Sequence, residues 1–188
     1  ITTALAASLL KVIDMLHLHS CMLLESSLPQ LYDSAVKAFP YTTKRQHATD
    51  PVKLVRFHWT PFLGLNTLFI RGLAQNENRE YDCIILFKKV NYKIQEGARN
   101  AIKVIDSTGT PFIMQKLSEN QEVLVRCSCP DFRWRFNYYD HLDHSLYGRK
   151  AAAYNSKGQR GPANPMKLPG ICKHVMKMTT ALSDAGLF

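Results

Sequence analysis

Cysteine and histidine are the residues whose spacing in this chain can do chemistry, and four of them fall in two tight pairs. Cys127-Ser128-Cys129 is one pair, and Cys172-Lys173-His174 is the other. Three thiolates and one imidazole form a complete ligand set for a tetrahedral zinc ion. Each pair stands where the backbone can aim it inward. Cys127 and Cys129 follow the apolar run Val123-Leu124-Val125 and precede Pro130, so they belong to a strand end that the proline turns. Cys172 and His174 follow Pro169-Gly170 and precede Val175-Met176-Lys177-Met178, the start of a predicted helix. The partial positive end of such a helix also favours thiolate. Four protein donors leave no open coordination position. The expected cofactor is therefore a structural Zn2+ held by Cys127, Cys129, Cys172 and His174.

A plainer reading of the same residues is a disulfide or simple burial. A Cys127–Cys129 bridge would be strained, but either cysteine could bridge to Cys172. Five cysteines without a secretory signal do not form the paired framework of a secreted domain. Zinc is the preferred reading. The two pairs are separated by 42 residues. Closing such an excursion costs the chain about 4 kcal/mol in entropy. A structural zinc site contributes about 10–16 kcal/mol, enough to hold it.

C-x-C, an insert, then C-x-H is the pattern of SWIM-type zinc fingers, and this chain resembles one, with an insert longer than is usual for that family. A closer resemblance covers roughly the last two-thirds of the chain. It is carried by Arg126-Cys-Ser-Cys-Pro-Asp-Phe-Arg-Trp-Arg-Phe-Asn-Tyr-Tyr, then Leu146-Tyr-Gly-Arg, then Asn164-Pro-Met-Lys-Leu-Pro-Gly-Ile-Cys-Lys-His. These runs, and the two hairpin-like runs before them, are similar to SWIM-bearing proteins of large tailed bacteriophages. The resemblance implies a virion structural protein of tail, baseplate or neck, acting through contacts with other structural subunits of an assembly. It implies zinc ligation by the same four residues and a place in the virion. The alternative is a nucleic-acid-binding SWIM module, with a cytoplasmic location. A metal enzyme is the weakest reading. A closed zinc site cannot activate water, and the chain has no P-loop, no H-E-x-x-H and no G-x-S-x-G.

At 188 residues and 46% apolar composition, the chain can bury a real core as one domain, or one domain with an extension. No run of about 20 apolar residues is free of charge, so no membrane span is expected. The chain begins at Ile1 without a methionine, which fits a fragment, a processed product or an unobserved start equally well. Net charge is +9, and it is unevenly placed. Residues 126–177 hold ten Lys/Arg against three Asp, whereas residues 1–125 hold fourteen against eleven acids. The zinc region is the electropositive one. A solvated face or a contact with an acidic partner is preferred over phosphate binding, which stays open as the alternative.

The elements that must position these ligands follow from periodicity. Residues 1–25 read as a helix with a wide apolar face (Leu5, Leu9, Val12, Leu16, Leu23) and only a narrow polar stripe. It either lies inside the domain or docks on another chain, and docking is favoured. His17, His19 and Cys21 on it are not expected to bind metal. Residues 27–39 predict a short helix capped by Ser27, with Leu31, Ala35 and Ala38 inward. Residues 41–50, with Lys44-Arg45-Gln46-His47, read as a linker or basic arm. From Pro51 the period becomes two. Strands are expected over 53–59, 67–72 and 81–87, with a turn over 74–79 making the last two a hairpin. A loop over 91–100, strands over 101–105 and 111–117, and a strand over 122–126 complete the β region. Cys83 is expected in the core.

After Cys129, residues 131–142 predict a helix capped by Asp131. Phe132, Trp134, Phe136, Tyr138 and Tyr139 alternate with Arg133 and Arg135. Such rings either stack on bases or build a small core around the metal, and the second reading is preferred. His141 and His144 are candidate replacement ligands only. Residues 147–169 read as an irregular basic loop that touches a neighbouring subunit or nucleic acid, and a tail is expected from Leu182. The predicted fold class is α+β. Residues 1–50 form an N-terminal helical arm and linker, 51–126 an antiparallel β region, and 127–188 a SWIM-like zinc-bound strand–turn–helix with a long insert.

Overall fold

The computed structural model describes residues 26–40, 47–154 and 161–188. The expected helix over 1–25, Lys44 and Arg45 of the basic arm, and Lys157 and Arg160 of the basic loop lie outside the described residues. The chain is α+β, as its periodicity predicts. Helix α1 (Leu28–Ala38) leads into strands β1 (Val52–Phe62), β2 (Thr67–Asn76) and β3 (Arg79–Phe87). Strands β4 (Ala101–Ile105), β5 (Pro111–Gln115) and β6 (Val123–Cys127) follow. A π-helical segment (Phe132–Phe136) continues into α2 (Asn137–Leu142), and α3 (Lys173–Asp184) closes the chain. One antiparallel sheet has the order β1-β2-β3-β6, and β4 and β5 form a separate two-stranded sheet. No helix among the described residues is long and apolar enough to cross a membrane.

Alternation puts the strand that ends in Cys127 in its place. In β2, Leu68, Ile70, Gly72 and Ala74 point to the buried face, and Cys83, Ile85 and Phe87 of β3 continue it. Val123, Val125 and Cys127 of β6 match them, so the register makes the rows Leu68–Phe87–Val123, Ile70–Ile85–Val125 and Gly72–Cys83–Cys127. Helix α3 covers this face with Val175, Met176, Met178 and Leu182, all buried. Gly72 is the place of closest approach. A Cβ there would lie 2.9 Å from the Met178 sulfur, so glycine lets the helix seat low over the sheet.

Helix α1 forms as expected. Ser27 is its N-cap, Gln30 Oε1 accepts the Ser27 N–H at 2.8 Å, and Leu31, Ala35 and Ala38 are buried. The Ser26 carbonyl accepts the Val123 N–H at 3.2 Å, which ties the entry of α1 to the start of β6.

Four local expectations are corrected. The turn over 74–79 shrinks to Glu77-Asn78, with Glu77 at φ 56°, because the polar residues Gln75, Asn76, Arg79 and Glu80 pair across the hairpin. Strand β5 stops at Gln115, and its hairpin with β4 stays out of the main sheet, since β6 takes the free edge of β3. Asp131 does not cap a helix. Its backbone is helical (φ −59°, ψ −47°), and the cap is Cys129, whose sulfur accepts the Phe132 N–H at 3.3 Å. Pro130, which lacks an N–H, fits the first helical position. The tail from Leu182 is also no loose end. Helix α3 runs to Asp184 and closes with Gly186 at φ 77°, the Leu187 N–H donating to the Leu182 carbonyl at 3.1 Å and the Gly186 N–H to Ser183 at 2.8 Å. This Schellman motif buries Leu187 beside Leu182.

The excursion between the ligand pairs is irregular, as expected, but stitched down on both sides. The Arg126 guanidinium donates to the Tyr147 carbonyl at 2.6 Å and to that of Arg149. Asn164 Nδ2 donates to the carbonyls of Arg135 at 2.9 Å and Leu168 at 2.7 Å. The last stitch is Asp140, whose Oδ1 accepts the Gly170 N–H at 2.8 Å, two residues before Cys172. Gly170 has no room for a side chain: a Cβ would lie 2.8 Å from the Phe136 ring and 3.0 Å from Ala35 Cβ.

Asp140 is fully buried, and its Oδ2 has no hydrogen-bond partner among the described residues. Burial pushes its carboxyl well above the usual range, the Gly170 N–H opposes this, and Asp143 adds to it. A raised folded pKa means that the proton favours the folded state. That contribution is complete below the unfolded value of about 3.9 and is lost as pH rises through the folded one. Asp140→Asn keeps an oxygen for Gly170 and removes the charge. Its stability relative to the parent chain should therefore rise between pH 5 and pH 8, read by urea unfolding at fixed zinc. A flat difference would show that Asp140 carries no such penalty.

Candidate metal centre

Three separate pieces of backbone converge on one point. Cys127 is the last residue of β6, Cys129 caps the helical segment after it, and Cys172 caps α3, with His174 in that helix's first turn. Their four ligand atoms all lie within 4.8 Å of one another, and all four residues are buried. The three cysteines carry no disulfide. His174 turns Nδ1 toward the sulfurs, at 3.9 Å from Cys127 Sγ and 3.8 Å from Cys172 Sγ. A tetrahedron with Zn–S near 2.3 Å and Zn–N near 2.0–2.1 Å has S···N edges of about 3.6 Å and S···S edges of about 3.8 Å. The donor set fits a zinc ion, and the two S···N separations exceed these edges by a few tenths of an ångström.

Electrostatics favour a cation at the centre. Burial pushes the thiols of Cys127 and Cys172 well above their ordinary value. Hydrogen bonds from Cys127 and then Cys172 pull Cys129 far below it. Burial thus opposes ionisation of the cluster, and hydrogen bonding among the sulfurs favours it at Cys129. A dication inverts this balance and makes all three thiolates favourable.

The surroundings hold the sulfurs in place. The Cys129 N–H reaches Cys127 Sγ at 3.5 Å, and the Phe132 N–H reaches Cys129 Sγ. Ser128, between the two cysteines, is locked to β3: its N–H donates to the Asp82 carbonyl and its Oγ accepts the Asp82 N–H, both at 2.9 Å. The Tyr81 ring packs on the His174 ring at 4.5 Å. His174 Nε2 is buried with no hydrogen-bond partner among the described residues, and the Tyr81 ring is the contact that bears on this imidazole.

All four residues singled out by spacing meet in this centre. His141 and His144 do not; both are exposed and stand apart from it. Cys83 is in the core, as expected, and also touches the centre, its sulfur 3.7 Å from that of Cys127. Sequence reasoning missed that contact. Its only signal is the pairing of Cys83 with Cys127 across β3 and β6, which no local pattern reveals. Comparison of the chain with protein families, with curated proteins and with solved structures finds no match.

Purified protein should carry one zinc per chain by elemental analysis. Cys129→Ala or His174→Ala should bring it close to zero. Protons compete with the metal for the same donors, so affinity falls as pH falls. Dialysis against a chelator should leave the metal in place at pH 7.5 and strip it progressively toward pH 5. Retention that is independent of pH would count against thiolate ligation.

Proposed function

We propose that the chain is a zinc-stabilised module of SWIM type that catalyses nothing and serves as a building block of a phage virion, in its tail, baseplate or neck. The observation that carries the non-catalytic part is the ligand shell. Four buried protein donors use every position of a tetrahedral ion, so neither water nor substrate has a place on it. The virion part rests on the likeness of the runs around Cys127 and Cys172 to SWIM-bearing proteins of large tailed phages.

Protein–protein contact is the mode of action that the surface favours. Strand β1 is an edge of the main sheet, and the turn that follows it exposes Leu63 (59%) and Leu65 (73%) beside Phe62. Large apolar side chains clustered at a sheet edge mark a surface that a neighbour covers. A neighbouring structural subunit is the partner this reading requires.

In a phage that encodes this chain, Leu63→Asp with Leu65→Asp should leave zinc content and melting unchanged while lowering incorporation into particles several-fold. Quantitative mass spectrometry of purified virions reads the result. Cys172→Ala should lower incorporation by another route, through loss of zinc and misfolding. Normal incorporation of both variants would refute the building-block role.

A further inference from the structure

The helical segment after Cys129 divides its rings between two environments. Phe132 and Phe136 are four apart and both buried, packed toward the metal and α1. Trp134, between them, is forced to the other side and is 44% exposed. The Arg133 guanidinium lies over its ring, 4.9 Å from the centroid. Tyr154, 38% exposed, is brought alongside at 5.8 Å and 68°. Tyr154 arrives there by design of the loop, because the Ala151 N–H donates to Asn137 Oδ1 at 2.5 Å and lays the chain back along the helix. Here the structure departs from the expectation that all these rings serve a core. The segment is π-helical, a form that concentrates at functional sites.

The charge around this ridge is predominantly positive. Arg149 and Lys150 are exposed on the stretch that leads to Tyr154, and the Arg149 backbone is pinned by Arg126. Three acids lie in residues 126–177. Asp131 pairs with Arg135 at 3.7 Å, and Asp140 is buried under the helix. With Arg135 so paired, Asp143 stands against nine basic residues in the sequence of this stretch, two of them, Lys157 and Arg160, outside the described residues.

We propose that Trp134, Tyr154 and Arg133 form a stacking platform for single-stranded nucleic acid, with Arg149 and Lys150 meeting its phosphates. An indole and a phenol ring held open to solvent accept the face of any base, and a guanidinium plane stacks likewise. A duplex hides those faces, and an acidic peptide has none to offer. The proposal goes beyond the assembly role above and stands whether or not the chain is a virion part.

Trp59 is the other tryptophan, so Trp59→Phe makes Trp134 the sole indole reporter. Titrating this full-length, zinc-loaded variant with oligo(dT) should quench its fluorescence, with affinity falling steeply as salt rises. In the parent chain, Trp134→Ala should weaken binding of labelled oligo(dT) about ten-fold or more. Tyr154→Ala should weaken it less, and Tyr154→Phe should restore it. Arg149→Gln with Lys150→Gln should flatten the salt dependence. Because both rings are exposed, each variant should keep one zinc and the parent's circular dichroism. Equal binding of duplex of the same length, equal competition by poly-glutamate, or unchanged affinity in Trp134→Ala would overturn the platform.

Discussion

Three cysteine sulfurs held within a few ångströms of one another, out of reach of water, are the constraint on which this structure turns. Each is buried, and burial alone disfavours their ionisation. A cation would let them share one centre as thiolates, and the backbone is arranged so that they must meet. Strand β6 delivers Cys127, the N-cap before Pro130 delivers Cys129, and the N-terminus of α3 delivers Cys172. Gly72 lets α3 sit close enough to the sheet for the last of these to arrive. Asp140 and Gly170 set the final approach of the returning chain. The fold around this centre is thus a set of positional devices for one convergence.

The ligands were legible in the sequence because their signals are local. C-x-C after an apolar run and C-x-H before one specify a strand end and a helix start, and both are found. The hairpin of β2 and β3 was legible for the same reason. The order of the sheet was not. That β6 lies beside β3, with β4 and β5 set aside, depends on matching Val123 and Val125 to Ile85 and Phe87 over a long separation. Cys83 illustrates the consequence: it reads as an ordinary core residue until pairing puts it opposite Cys127. Asp131 shows a different failure. Its side chain is a good cap in isolation, but Pro130 starts the helix one residue sooner, and a metal-site sulfur takes the cap. Gly186-Leu187 was legible but fell within the tail expected from Leu182, although a glycine followed by an apolar residue is how a helix end folds back on itself.

The long insert also gains a physical sense. A helical stretch of about a dozen residues is marginal on its own in water. This one begins on a ligand sulfur, buries Phe132 and Phe136 against the core, and is held at its far end by the loop that returns to Cys172. An ion at this centre would therefore be more than a clasp for the two ends of an excursion. Its ligand Cys129 caps the first turn of the helix, and that turn decides which rings face inward. With Phe132 committed to the interior, Trp134 has only the outside to occupy. The metal centre and the exposed aromatic ridge share one short helix, so whatever loosens the first blurs the second. An ion held by Cys127, Cys129, Cys172 and His174 would thus act beyond its own ligands, by setting the rotation of a helix and with it the surface that the protein presents.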